Sequence, residues 1–78
     1  MQVTKLKEVY QELSDALATR DEQEVYDAAL WSAQKLANTT KPDVLTAYEE
    51  LAVTLAAQDV EGTYEAAMYA VKVLSRYI

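Results

Sequence analysis

YQELSDALATRDEQEVYDAALWSAQKLA (residues 10–37) and YEELAVTLAAQDVEGTYEAAMYAVKVLS (residues 48–75) are two versions of one segment. Laid over each other at an offset of 38 with no gap, they agree at 10 of 28 positions. These are Tyr10/Tyr48, Glu12/Glu50, Leu13/Leu51, Leu17/Leu55, Ala18/Ala56, Asp21/Asp59, Tyr26/Tyr64, Ala28/Ala66, Ala29/Ala67 and Leu36/Leu74. Agreement that dense and ungapped implies a single supersecondary unit used twice. The chain of 78 residues is then one domain, with unit 1 over about 3–40 and unit 2 over about 41–78.

The spacing of apolar residues makes each unit a pair of helices. One Gly and one Pro leave little material for turns or strands, and good helix formers dominate. The first helix, 3–18, carries Val3, Leu6, Val9, Tyr10, Leu13, Ala16 and Leu17 on one face. The second, 22–37, carries Tyr26, Ala29, Ala33 and Leu36, with Asp21 as N-cap and Glu24 completing a capping-box-like pair. The third, 43–57, carries Val44, Tyr48, Leu51 and Leu55. It begins at Thr39-Thr40-Lys41-Pro42-Asp43, which offers a capping Thr, a first-turn Pro and an acid for the helix dipole. The fourth, 60–77, carries Tyr64, Ala67, Val71 and Leu74. Short connections make consecutive helices antiparallel neighbours, and small residues on the second and fourth allow close approach. The expected fold is all-α: two antiparallel helical hairpins forming a four-helix bundle or a short two-repeat helical solenoid.

Leu13-Ser14 with Leu17, then Tyr26, Ala29, Ala33 and Leu36, resembles a tetratricopeptide-type helical hairpin. So does Leu51-Ala52 with Leu55, then Tyr64, Ala67, Val71 and Leu74. Pro42 falls near the place where that family often puts a Pro. The chain departs from the pattern in its period of 38 rather than 34, its missing glycines and its two units. The resemblance implies peptide or protein binding rather than catalysis.

Composition narrows the function classes. There is no Cys and no His, so disulfides, thiolate nucleophiles, the usual zinc sites and the usual neutral-pH proton shuttle are excluded. No catalytic constellation and no cofactor motif is visible, and the chain is read as a non-enzyme. The net charge of −6 disfavours direct binding to a phosphate backbone or an anionic membrane and favours a basic protein partner. No run reaches the length of a signal peptide or a membrane span, so a cytoplasmic protein is expected.

Two surfaces stand out as candidate binding sites. In an up-down bundle the turns of both hairpins share one end. That end collects Asp21, Glu22, Glu24, Asp27, Asp59, Glu61 and Glu65, seven of the 13 acids, while six of the seven bases gather at the other. Such sorting stabilises helix dipoles and would also steer a basic partner. The second surface is a further apolar stripe on the fourth helix, read as roughly opposite Tyr64, Ala67, Val71 and Leu74: Ala66, Tyr69, Ala70, Val73 and Tyr77. Trp31 is the counterpart of Tyr69, and both residue types are enriched in binding hot spots. Read outward, the stripe would anchor a partner, or a second copy in a homodimer through the fourth helix, by Trp31, Tyr69, Val73 and Tyr77. The functional expectation is a protein-binding module such as a small acidic inhibitor, adaptor or immunity-type protein that blocks a larger partner. The alternatives are an acidic nucleic-acid mimic acting through Asp21, Glu22, Glu24, Asp59, Glu61 and Glu65, and a structural or constructed helical scaffold.

Overall fold

In the computed structural model, residues 2–78 are described, with side chains from Lys5 onward, so the Val3 side chain lies outside the described residues. Four helices follow one another: α1 (Gln2–Thr19), α2 (Glu22–Leu36), α3 (Pro42–Ala56) and α4 (Val60–Leu74), ending in a single 3-10 turn, Ser75–Tyr77. Among the described residues there is no strand.

The two hairpin turns share one backbone plan and differ in their hydrogen bonds. The turn after α1 passes through Arg20 and the turn after α3 through Gln58, both left-handed at φ 58° and 56° and 38 positions apart. The next residue in each, Asp21 or Asp59, is extended and caps the following helix. The Asp21 carboxylate accepts from the Gln23 N–H at 3.0 Å, and that of Asp59 from the Gly62 N–H at 2.9 Å. Such a cap contributes about 1 kcal/mol. The reciprocal capping-box bond from Glu24 does not form. The N–H it would reach, that of Asp21, is taken by the Thr19 hydroxyl at 3.2 Å.

In the second turn, the Asp59 N–H reaches the Thr54 carbonyl (2.9 Å) and the Gln58 N–H that of Leu55 (3.1 Å), which is a Schellman closure. In the first, the Thr19 hydroxyl stands between the two ends of the longer bond. It accepts from Asp21 and donates to the Ala16 carbonyl at 2.6 Å. α3 begins differently from its expected start. Its N-cap is Lys41, with no side-chain cap, followed by Pro42 at the first helical position. The Thr39 hydroxyl accepts from the Lys41 N–H (3.3 Å) instead of capping the helix.

The buried residues obey the repeat more strictly than the identities do. Leu6/Val44, Val9/Ala47, Leu13/Leu51, Val25/Thr63, Ala29/Ala67, Ser32/Ala70 and Leu36/Leu74 are all buried and all 38 apart. Only three of these seven pairs are identical, so the repeat is conserved as a pattern of burial rather than of residue type.

α1 packs on α2 and α4, and α3 packs on α4 and α2. α2 and α4 touch across the middle, whereas among the described residues α1 and α3 do not meet. That arrangement has a pseudo-two-fold axis along the bundle, exchanging α1 with α3 and α2 with α4. A solenoid would instead stack α1 on α3, so of the two expected architectures the closed four-helix bundle is the one formed. Small residues explain its flattening to 29 × 23 × 16 Å. Ala29, Ser32, Ala67 and Ala70 lie on the central pair and let α2 and α4 approach, which pushes α1 and α3 outward.

Candidate functional site

The acidic residues expected at one end are there. Tyr26, on the first turn of α2, points its hydroxyl at the Leu55 carbonyl of α3 (3.5 Å), and Tyr64 lines a hollow with Arg20, Asp21 and Glu22. Each tyrosine thus leans on the other unit's turn, which places the two turns together. Asp21, Glu22, Glu24, Asp27, Asp59, Glu61 and Glu65 are all exposed. Asp21 and Asp59 use one carboxylate oxygen as caps, so their first role is structural.

The apolar stripe on α4 is not an outer face. Val73 is 1 % exposed, and Ala66 and Ala70 are buried. At about 100° per residue, this stripe and the Tyr64–Ala67–Val71–Leu74 stripe are centred about 120° apart rather than opposite. The observed buried seam of Thr63, Ala67, Ala70 and Leu74 runs between them. The second stripe faces α3. Ala66 shares a groove with Thr54, and a Cβ built on Gly62 would lie 3.2 Å from Thr54 Cγ2. Val73 is therefore core, and a homodimer through this stripe loses its basis.

Tyr77 is also committed inside the molecule. It is half-buried, and its hydroxyl donates to Asp43 Oδ1 at 2.7 Å. Arg76 pairs with the other oxygen of Asp43 at 3.3 Å, and the Lys41 ammonium lies 5.0 Å from the Tyr77 ring centroid. This clasp ties the chain's last turn to the start of α3. The Tyr77 hydroxyl holds the Asp43 carboxyl below its usual range, helped by the Val44 N–H and Arg76 against some desolvation. The same bond, with desolvation and the nearby charge, pushes the Tyr77 hydroxyl up.

What remains of the second stripe is Tyr69, 40 % exposed, and it stands where Trp31 stands in the first unit. Each aromatic forms one wall of a groove between the two helices of its hairpin. In the α1/α2 groove, roughly 430 Å³, Trp31 faces an Ala28 floor with Glu12 and Asp15 on one side and Glu24 and Asp27 on the other. In the α3/α4 groove, roughly 530 Å³, Tyr69 faces Ala66 with Glu50 and Glu65 alongside. Glu12/Glu50, Asp27/Glu65, Ala28/Ala66 and Trp31/Tyr69 are repeat mates, so these are two copies of one surface feature.

Among the described residues, no Lys or Arg lines either groove. Asp15 and Asp27 accept only from the neutral amides of Gln11 (3.0 Å) and Gln23 (3.2 Å), which leaves their charge uncompensated. The Lys35 ammonium, one turn beyond Trp31, lies 5.4 Å from the indole centroid. A second shallow hollow on Trp31 is bordered by Glu8, Gln11 and Glu12.

Of the residues named from sequence, the structure gathers Trp31 with Glu24 in one groove and Tyr69 with Glu65 in the other. It leaves Asp21, Glu22, Asp59 and Glu61 on the turn end, and removes Val73 and Tyr77 from the free surface. Sequence reasoning missed Glu12, Asp15, Asp27 and Glu50 as groove residues. The signal for two of them was present, since Glu12/Glu50 is an identical pair whose exposure no packing demand explains. Among the described residues, no group of His, Cys, Asp or Glu is arranged to hold a metal, and no helix is long and apolar enough to cross a membrane. Comparison with protein-family models, with curated proteins and with solved structures finds no match to this chain.

Proposed function

We propose that this protein is a non-catalytic protein-binding module that seats a basic segment of a larger partner in the Trp31 groove and acts by occupying it. The observation that carries this reading is the composition of that groove: an indole wall and an alanine floor between four carboxylates, with no base in the lining. An Arg or Lys side chain fits such a place on two counts. Its charge meets Glu12, Asp15, Glu24 and Asp27, and its cationic head can lie on the indole face, worth about 0.5–1 kcal/mol at an exposed site. The acids at the turn end extend the negative field and raise the encounter rate. Occupancy of this kind is how a small inhibitor or adaptor works. Cytoplasmic residence belongs to the same proposal, since a steering mechanism needs only a partner in the same compartment.

The chain's single Trp makes the assay direct, because fluorescence excited selectively at the indole reports the surroundings of Trp31. Titration with the peptide acetyl-Gly-Arg-Gly-Arg-Gly-amide at low salt is expected to change the emission saturably. Trp31→Tyr, followed by NMR, should weaken binding, and Glu12→Gln with Asp27→Asn should weaken it more. Absence of a saturable response from the wild-type protein would refute the reading. The nucleic-acid mimic rests on a different observation, the seven exposed acids at the turn end. It requires that neutralising Asp21, Glu22, Asp59 and Glu61 abolish binding to a DNA- or RNA-binding protein while Trp31→Ala leaves it intact.

A further inference from the structure

The molecule carries the groove twice. We infer that the α3/α4 groove is a second, weaker site for a cationic side chain, on the opposite side of the bundle from the Trp31 groove, so that one chain binds two basic segments. This inference rests on the proposed function of the first groove and extends it to the second unit.

The argument is one of symmetry and chemistry. The pseudo-two-fold axis that exchanges α1 with α3 and α2 with α4 carries the α1/α2 groove onto the α3/α4 groove. An axis along the bundle puts the two on opposite sides, where one short peptide cannot span both. Wall and floor are retained: Tyr69 for Trp31 and Ala66 for Ala28. One acid from each helix is retained as well, Glu50 for Glu12 and Glu65 for Asp27. Both hollows are several hundred cubic ångströms and open to solvent, so either admits a guanidinium or ammonium group.

The differences set the order of affinity. Asp15 is replaced by Val53, which is exposed, and Glu24 by Gly62, so two of the four carboxylates are absent from the second groove. Tyr is also a weaker cation platform than Trp. One difference acts the other way. Lys35, outside the lining of the first groove, holds a cation 5.4 Å from the Trp31 ring centroid, whereas its counterpart Val73 is buried and leaves Tyr69 without one. With two fewer negative charges against one fewer positive charge, the second site binds more weakly, by about two- to ten-fold at low salt. With two fewer carboxylates and an exposed Tyr69 as its wall, the second groove is the less salt-sensitive of the two.

The experiment is a site-resolved NMR titration of the full chain with acetyl-Gly-Arg-Gly-Arg-Gly-amide. The Trp31 indole N–H reports one groove, and the Tyr69 and Glu65 amides report the other. Two independent saturation curves are expected, with Tyr69→Ala removing the second and leaving the first, and Trp31→Ala, read by the Asp27 and Ala28 amides of the first groove, doing the converse. Shifts confined to residues around Trp31 would overturn the second site while sustaining the first. No saturable shift at either groove would overturn both. Saturation around Tyr69 that survives both Tyr69→Ala and Glu65→Gln would show non-specific attraction to net charge and would also overturn the inference.

Discussion

Ser32→Ala should stabilise the protein. Ser32 is fully buried and its Oγ has no hydrogen-bond partner, whereas Thr63, the other buried polar side chain among the described residues, donates to the Asp59 carbonyl at 2.8 Å. An unpaired buried hydroxyl costs about 1–3 kcal/mol relative to solvent. Alanine is also the better helix former, by roughly 0.5 kcal/mol. Against these stands the void left by one oxygen, on the order of 10 Å³, which at about 24 cal/mol per Å³ costs only about 0.2 kcal/mol. The molecule already holds the variant at the symmetry-related place, since Ala70 is the repeat mate of Ser32 and is buried on the facing helix. The net gain expected is about 1–2 kcal/mol, or a rise in Tm of about 4–8 °C per kcal/mol for a domain of this size. Ala70→Ser makes the reverse change and should lose a similar amount. Urea unfolding and calorimetry of both variants measure it. If Ser32→Ala is neutral or destabilising, the hydroxyl is satisfied and the reasoning fails, whatever Ala70→Ser does.

Other perturbations test other parts of the molecule. Arg20→Gly and Gln58→Gly relieve two left-handed non-glycine residues and should each add about 0.5–1 kcal/mol, after allowing for the freer unfolded chain; a loss in thermal melts would show that these side chains repay their strain. Tyr77→Phe breaks the clasp. Because the Asp43 pKa is depressed, its contribution is present above the usual carboxylate range and is lost as pH falls through the folded value, below about pH 4. The raised Tyr77 pKa means the hydroxyl's contribution holds below about pH 10 and is lost as pH rises beyond that. The variant should show a shallower fall in Tm at both limits and, by NMR, an Asp43 pKa closer to normal; an unchanged Asp43 titration would remove the hydrogen bond from the account. Val73→Asp buries a carboxylate and should cost at least about 3 kcal/mol, whereas Tyr69→Ala should cost about 1 kcal/mol or less, and equal losses in denaturant would contradict the placement of α4.

Every residue needed to find the four helices was visible along the chain. Asp21 announces one helix start by its ability to cap and Pro42 announces another, whereas the cap by Asp59 was seen only in the structure. The 38-residue offset made the hairpins equivalent before any packing was known. The exposure of the acidic turns was equally legible, because charged helix starts seldom have reason to be buried. Even the flattening of the bundle was foreshadowed by the alanines on the second and fourth helices. These are local properties, set by φ/ψ preference, dipole and periodicity within some fifteen residues.

What escaped was the azimuth of α4. A helix that is apolar over most of its circumference leaves its buried direction unspecified by periodicity, and two stripes about 120° apart can be covered by two neighbours as readily as by one neighbour and a partner. Only the packing showed that α3 takes the stripe of Ala66, Val73 and Tyr77, and it did so because a bundle gives each helix two flanks to cover. The clasp of Tyr77, Arg76 and Asp43 joins residues more than 30 positions apart, and no local rule links them. The grooves likewise belong to pairs of helices: Glu12 meets Trp31 across a hairpin seam, and that meeting depends on how the helices rotate against each other. Composition and repeat determined which elements exist and how often each motif occurs. Tertiary packing decided which of their faces remain free to bind, because burial is a property of neighbours rather than of sequence position.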